Sequence, residues 1–175
     1  MTVDNMAWTV EATSVLIGWL VVSCVGSASH FVYQWVGCVS YIAMYVPVNE
    51  SVWEHLKLVV WPLFGWWGLS LIWREFDDCL NGLAVSEIVS VCTMLVLYYT
   101  YMGIFDYECL PVDIFIFLVS VFAGLLLSEL YLWSSRLCLF SSILLFFFCF
   151  ICLSIFKPAL PLFFDEAHET YEVVC

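Results

Sequence analysis

Apolar residues occur in long blocks along this chain, and short polar stretches separate the blocks. Each block is close to the roughly 20 residues that an α-helix needs to cross a membrane. The pattern therefore predicts an all-α, polytopic helical bundle of about five transmembrane helices, forming one integral membrane domain over residues 1–175. The predicted spans are residues 12–33, 56–73, 82–105, 112–133 and 137–156, and a tail of residues 157–175 follows them.

One further apolar segment, residues 34–48, is shorter than a membrane crossing and ends next to Pro47. A short re-entrant or interfacial segment is the expected structure, because a full span needs more residues. The chain would then stay on the same side of the membrane. With five spans, crossing parity places His30, residues 49–57 and residues 165–168 at one face.

Composition supports a membrane protein and excludes some partners. The chain is 65% hydrophobic and 11% charged, with a mean hydropathy of +1.03, which leaves too little polar surface for a soluble protein of this length. The net charge of -12, with only four Lys and Arg residues, disfavours nucleic acid. The expected partners are the lipid bilayer and further membrane proteins or a second copy of the chain. The sequence does not indicate which membrane.

The densest polar stretch is PVNESVWEHLK at residues 47–57, directly before the second predicted span. Ionisable groups inside a membrane protein are costly and often mark function. Imidazole and carboxylate are the groups that bind zinc or a similar divalent metal, so a metal site is one interpretation. The candidate metal ligands are His30, Glu54, His55 and Asp165. The other polar residues of this cluster are Asn49, Glu50, Ser51 and Lys57.

A structural interpretation fits the same residues. Ser51 and Glu54 have the spacing of a capping box, in which both side chains satisfy amide groups at a helix start. Asn49 and Glu50 also suit a helix N-terminus, where the helix dipole favours polar and negative groups. Lys57 could pair with Glu54 or extend towards lipid headgroups. The sequence thus allows a capped helix or a ligand site.

Two acidic residues, Glu87 and Glu129, lie inside predicted spans and form a second candidate site. Carboxylates in this position can relay protons or bind cations, as in transporters. Both lie near span ends, so water or the arginines Arg74 and Arg136 at that face could satisfy them instead. His168, in an acidic run of the tail, is expected to be solvated.

Three blocks of sequence carry a family resemblance: GSASHFVY at residues 26–33, PVNESVWEHLK at residues 47–57, and KPALPLFFD at residues 157–165 with a later TY. Together they resemble the multi-span membrane family known as domain of unknown function 6512, over nearly the whole chain. That family has no established activity, so the resemblance implies a membrane fold and no chemistry. The family-like positions are His30, Asn49, Glu50, Ser51, Glu54, His55, Lys57, Pro158, Pro161, Asp165 and Tyr171.

The tail departs from the family pattern. Family members tend to read D-P-x-x-G-T-Y-G where this chain has DEAHETYE, so His168 is particular to this chain. The favoured function is a membrane protein whose polar face binds a metal ion or small ligand. The alternatives are a membrane-embedded metal-dependent hydrolase of lipids, a transporter, and a structural subunit of a larger membrane complex. Whether the chain is an enzyme stays open.

Overall fold

The computed structural model describes the backbone of residues 3–134, 140–156 and 158–165, and the side chains of residues 12–131, 146–156 and 158–165. No β-strand occurs in these ranges, so the all-helical prediction is confirmed for them. The α-helices, in chain order, are α1 Val3–Trp35, α2 Val52–Ser70, α3 Phe76–Phe105, α4 Leu110–Ser134 and α5 Phe140–Ile155. Two short 3-10 helices, Ile42–Met44 and Pro161–Phe163, lie outside them.

Helix ends follow local backbone chemistry. The helix α1 ends before Gly37 and Cys38, which both take the left-handed conformation with φ of 74° and 59°. The helix α3 ends at Asp106, which has φ of 54°, and its amide donates to the carbonyl of Met102. Short side chains such as Asp tolerate this conformation better than bulky ones, and it stops a helix by turning the chain.

The predicted spans agree with these helices except at some ends. The largest difference is at α1, which begins at Val3, nine residues before the predicted start at residue 12. The helix α3 begins at Phe76, six residues before its predicted start at residue 82. Asp77 and Asp78 lie in its first turn, where negative charge is favoured by the helix dipole. Residues 76–78 thus form the first turn of the helix, although the predicted spans leave them in a loop.

The helix α2 is largely buried in the bundle. It packs against α1 and α3, while α4 packs against α1 and α3 from the other side. Its apolar side chains Val59, Val60 and Leu63 are completely buried. Many large apolar side chains of the outer helices instead face outward, including Leu20 and Val96, which are 56% and 63% exposed. A bundle with an apolar exterior of this kind suits lipid better than water.

Three helices are long and apolar enough to cross a membrane: Ala12–Trp35 within α1, Phe76–Phe105 and Leu110–Tyr131 within α4. The count of about five spans is therefore not confirmed. The helix α2 has 19 residues but carries Glu54, His55 and Lys57, which lower its mean hydropathy, and α5 has only 16 residues. Length and composition thus suggest a membrane protein, with three candidate spanning helices in the described ranges.

The apolar segment before α2 contains one 3-10 turn and otherwise irregular chain. Its residues Val46 and Val48 are buried against Tyr33 of α1. Trp61 of α2 donates from Nε1 to the carbonyl of Met44 at 3.1 Å, which fastens the segment to the bundle. The segment therefore packs against the ends of α1 and α2 and brings the polar residues after Pro47 close to His30.

Candidate functional site: a histidine and glutamate cluster

Two histidines and one carboxylate converge where α1 ends and α2 begins. His30 lies in the last two turns of α1, His55 lies at the start of α2, and Glu50 lies in the loop before α2. The Nε2 atoms of His30 and His55 each lie 3.4 Å from Oε2 of Glu50. One ligand atom from each side chain lies within 4.8 Å of the other two. We call these three residues the His–Glu cluster.

The spacing in the His–Glu cluster is close to that of a metal site. Tetrahedral zinc has bonds of about 2.0–2.1 Å to nitrogen and oxygen, which places neighbouring ligand atoms about 3.3 Å apart. Two of the three ligand separations in the cluster are 3.4 Å. The side chains of His30, Glu50 and His55 are 30%, 44% and 29% exposed, so an ion can reach them from the surface.

A backbone contact fixes the orientation of the His55 ring. Its Nδ1 lies 3.0 Å from the carbonyl oxygen of Ser51, one helical turn earlier. A carbonyl can only accept, so Nδ1 carries the proton and donates, and Nε2 faces Glu50. Metal-binding histidines usually donate their second ring nitrogen in the same way, which holds the tautomer and the ring direction.

The tail of the chain fixes Glu50 through its backbone. The amide of Glu50 donates to Oδ2 of Asp165 at 3.1 Å, and Asp165 is completely buried. The tail reaches this position because Phe163 stacks on Trp53 of α2, with ring centroids 4.9 Å apart. Asp165 is thus placed to position the loop that carries Glu50, and its carboxylate does not join the His–Glu cluster.

The charges of the His–Glu cluster reinforce one another. Contact with His30, and then with His55, holds the pKa of the Glu50 carboxyl well below its ordinary value of 4.5. Burial acts to lower the pKa of His55, but the contacts with Glu50 and with the Ser51 carbonyl outweigh it and raise that pKa above 6.5. The cluster therefore favours an ionised carboxylate, and a proton on His55 competes with any metal ion.

Glu54 points away from the His–Glu cluster into the protein. Its Oε2 accepts from Nζ of Lys57 at 2.6 Å, and both side chains are completely buried. The same oxygen accepts from the amide of Val48 at 3.2 Å, and Nζ of Lys57 also donates to the carbonyl of Ala43 at 2.6 Å. This buried ion pair holds the loop before α2 against the helix, and we call it the Glu54–Lys57 pair.

Of the two hydrogen bonds in the predicted capping box, the one accepted by the Ser51 hydroxyl forms, and the one accepted by the Glu54 carboxylate does not. The Ser51 hydroxyl accepts from the amide of Glu54 at 3.4 Å, and Ser51 is the N-cap residue of α2. The Glu54 carboxylate bonds to Val48 and does not return to the amide of Ser51, which donates to Oδ1 of Asn49 at 3.1 Å. Asn49 therefore takes the part that the sequence pattern gives to Glu54.

The structure brings together only two of the four proposed metal ligands, His30 and His55. Glu54 pairs with Lys57, and Asp165 holds the backbone of Glu50. Glu50 is the carboxylate that joins the histidines. Its position just before the N-cap was a usable signal, because a residue there is outside the helix and can fold over its first turn. His168 and Arg136 lie outside the described residues.

A small pocket of about 60 Å³ lies beside Glu50. It opens between the loop before α2, the end of α3 and the tail. Tyr98 of α3 donates from its hydroxyl to Oε1 of Glu108 at 2.9 Å at this pocket. The lining residues are Glu50, Val52, Tyr98, Tyr99, Glu108, Pro161 and Phe164. A molecule in this pocket would meet the Glu50 side of the His–Glu cluster.

The second predicted site divides into two different environments. Arg74 donates from both terminal nitrogens to the two carboxylate oxygens of Glu129, at 3.1 and 2.6 Å, and also contacts Ser14 at 3.0 Å. The expectation that an arginine satisfies the intramembrane carboxylates holds for Glu129. Glu87 is completely buried, and neither of its oxygens has a hydrogen-bond partner among the described residues.

The fold and the site define a helical protein of membrane type, with a cluster of two histidines and a carboxylate at one end of the bundle. The sequence matches the family of unknown function DUF6512 over residues 4–173, and the chain belongs to that family. The predicted resemblance to this family is therefore confirmed. Searches of curated proteins and of solved structures find no match.

Proposed function

We propose that this membrane protein binds a divalent transition-metal ion such as zinc through His30, Glu50 and His55. One observation carries the proposal: two imidazole Nε2 atoms lie 3.4 Å from the same carboxylate oxygen. Imidazole and carboxylate together suit zinc and neighbouring transition metals better than magnesium or calcium, which prefer oxygen ligands alone.

The cluster is easier to explain with a metal than as an ion pair alone. The Nδ1 of His55 donates to Ser51, so its Nε2 can donate to Glu50 only if the ring is doubly protonated and positive. The His30 and His55 rings lie close together, with centroids 5.4 Å apart. A metal ion would accept lone pairs from both rings and from the carboxylate, so His55 would not need a second proton.

A second candidate function, hydrolysis of lipids, rests on the coordination number and on the adjoining pocket. Catalytic zinc sites have three protein ligands and leave one position for water, which the metal activates as a nucleophile. The His–Glu cluster offers three ligands, and the pocket with Tyr98 and Tyr99 lies beside Glu50. This end of the bundle would have to lie near the headgroups for a lipid to reach it.

Metal analysis of the purified full chain in detergent tests the first proposal. We expect about one zinc ion per chain, retained through gel filtration and removed by a chelator. The variants His30→Gln, Glu50→Gln and His55→Gln should each lose it. Asp78→Asn is the matched control, because it removes one exposed carboxylate in the first turn of α3, far from the cluster. Zinc that is absent, or that survives in all three variants, contradicts the proposal.

Hydrolysis is tested separately with phospholipid vesicles that contain the zinc-loaded protein. Release of a headgroup or fatty acid that stops on chelation and in His55→Gln would support a hydrolase. Stoichiometric zinc without any hydrolysis would reject the hydrolase and leave the metal site in place. A transporter or a structural subunit would then be the better context for that site.

A further inference from the structure

Glu87 is a carboxylate in an unusual position, deep in the bundle. It is the twelfth of 30 residues in α3, about 16 Å along the helix from its start. Its exposure is 0%, and both carboxylate oxygens lack a hydrogen-bond partner among the described residues. This finding differs from the expectation that Glu87 lies near a span end, because α3 begins earlier than predicted.

A second side chain without a hydrogen-bond partner among the described residues, that of Ser90, lies about one helical turn from Glu87. Ser90 is also completely buried, and its hydroxyl has no partner in the described ranges. Residues three apart on a helix lie on neighbouring parts of one face. Gly124 of α4 lies against this face, since a Cβ at that position would overlap the Ser90 hydroxyl and the Ser86 carbonyl. In contrast, the Ser86 hydroxyl accepts from Trp67 at 2.9 Å.

No described charge compensates Glu87. Among the helices packed against α3, those with acidic, basic or histidine side chains in the described residues are α2 and α4. None of these side chains forms an ion pair with Glu87; they are Glu54, His55, Lys57, Asp113 and Glu129. Lys57 is bound to Glu54, and Arg74, which follows α2, is bound to Glu129. An ionised carboxylate is strongly destabilised in such a place, so a bound cation is expected.

We propose that Glu87 and Ser90 form a buried binding site for a monovalent cation, either a proton or a sodium ion. Either cation would neutralise the Glu87 carboxylate. The Ser90 hydroxyl would be a further oxygen ligand for a sodium ion, or a hydrogen-bond partner for the protonated carboxyl. This site is independent of the His–Glu cluster. It gives the bundle interior an ion-binding function of the kind that coupled transporters use.

A hydrophobic carbodiimide tests this site in the purified full chain. A protonated carboxyl adds its O–H across a C=N bond of the reagent, and the adduct rearranges to a stable acylurea without a leaving group. We expect peptide mass spectrometry to find the label on Glu87 at neutral pH. Glu129 is the internal control, because its ion pair with Arg74 keeps it ionised. Glu87→Gln should lose the label, and Glu129→Gln should keep it.

Two further arms identify the cation. If sodium binds, sodium chloride should slow the labelling at fixed pH and ionic strength, whereas choline chloride should not. If only a proton binds, raising the pH should slow the labelling and sodium should have no effect. Labelling of Glu87 that responds to neither condition would contradict a reversible site.

Infrared difference spectra decide the case in which the reagent does not reach Glu87. A carboxylic C=O band that is absent in Glu87→Gln and changes with pH or sodium would support the site. Its absence, together with an unlabelled Glu87, would overturn the proposal. Thermal unfolding of Glu87→Gln in detergent controls for folding, because glutamine has nearly the same shape as the neutral acid.

Discussion

Glu50 and Glu54 are four residues apart in the same polar stretch, yet their environments are opposite. Glu54 is completely buried and bound to Lys57 and to the Val48 amide. Glu50 is 44% exposed and faces two histidines and a pocket. The difference shows that the N-cap at Ser51 separates two tasks. The residue inside the helix closes the loop, and the residue before it faces the two histidines and the pocket.

The largest effect is expected from breaking the Glu54–Lys57 pair. Lys57→Met keeps the length of the side chain but leaves Glu54 buried without its cation, and removing one partner of a buried pair costs about 3–5 kcal/mol. We expect the free energy of unfolding in detergent to fall by about this amount. In the double variant Glu54→Gln with Lys57→Met most of the loss should be recovered. A change below about 1 kcal/mol in the single variant would contradict a structural role.

The opposite pattern is expected in the His–Glu cluster. Glu50→Gln should weaken zinc binding by about a hundredfold or more, because a charged ligand becomes neutral, and His55→Gln should do the same. The unfolding free energy should change by less than about 1 kcal/mol, since partly exposed ion pairs contribute little. Calorimetric titration with zinc and chemical unfolding measure the two quantities. If Glu50→Gln or His55→Gln lowers the free energy of unfolding and leaves zinc binding intact, then the His–Glu cluster has the structural role that we assign to the Glu54–Lys57 pair.

A smaller effect is expected at Asp165, which holds the backbone of Glu50. Asp165→Ala should weaken zinc binding by about tenfold through misplacement of Glu50, as outer partners of metal ligands typically do. Asp165→Asn keeps an oxygen acceptor and should restore most of the affinity. If Asp165 were instead a ligand, asparagine would not rescue binding, and zinc affinity in the two variants would be equally low.

Much of the fold could be predicted from the sequence, because the helices are long apolar blocks and the loops are polar. The start of α3 could not, because Asp77 and Asp78 look like loop residues until their position in a helix N-terminus is known. The predicted candidate ligands lie in and around the same stretch, but the carboxylate that lies beside the two histidines is Glu50 and not Glu54. The capping box at Ser51 already placed Glu54 inside the helix and Glu50 before it, but which of the two faces the histidines depends on how the loop before α2 folds, which local sequence does not determine.

Glu87 illustrates a different limit of prediction. Its position within a long apolar segment was visible in the sequence, but its lack of a partner among the described residues depends on how segments distant in the chain pack together. Arg74 reaches Glu129, which is 55 residues away in the chain. Contacts of this range follow from helix packing, which local pattern does not determine.

The smallest and most diagnostic effect is the pH dependence of the His–Glu cluster. In the metal-free protein, Glu50 has a lowered pKa, so its stabilisation is complete above about pH 4.5 and is lost as the pH falls towards its folded-state pKa. His55 has a raised pKa, so its stabilisation is complete below about pH 6.5 and is lost as the pH rises through its folded-state pKa. The metal-free protein should therefore be most stable between these values, by less than about 1 kcal/mol because the groups are partly exposed.

Zinc binding should show the opposite trend on the alkaline side, because the metal needs the lone pair that the proton occupies. We expect zinc affinity to increase with pH up to the folded-state pKa of His55 and then to level off. Below that pKa, the affinity should rise about tenfold per pH unit for each proton that zinc displaces. Unfolding and zinc titrations over one pH series measure both trends. If zinc affinity does not change with pH over this range, then His55 does not exchange its proton for the metal, and Glu50 would resemble Glu54 in being part of a closed ion pair.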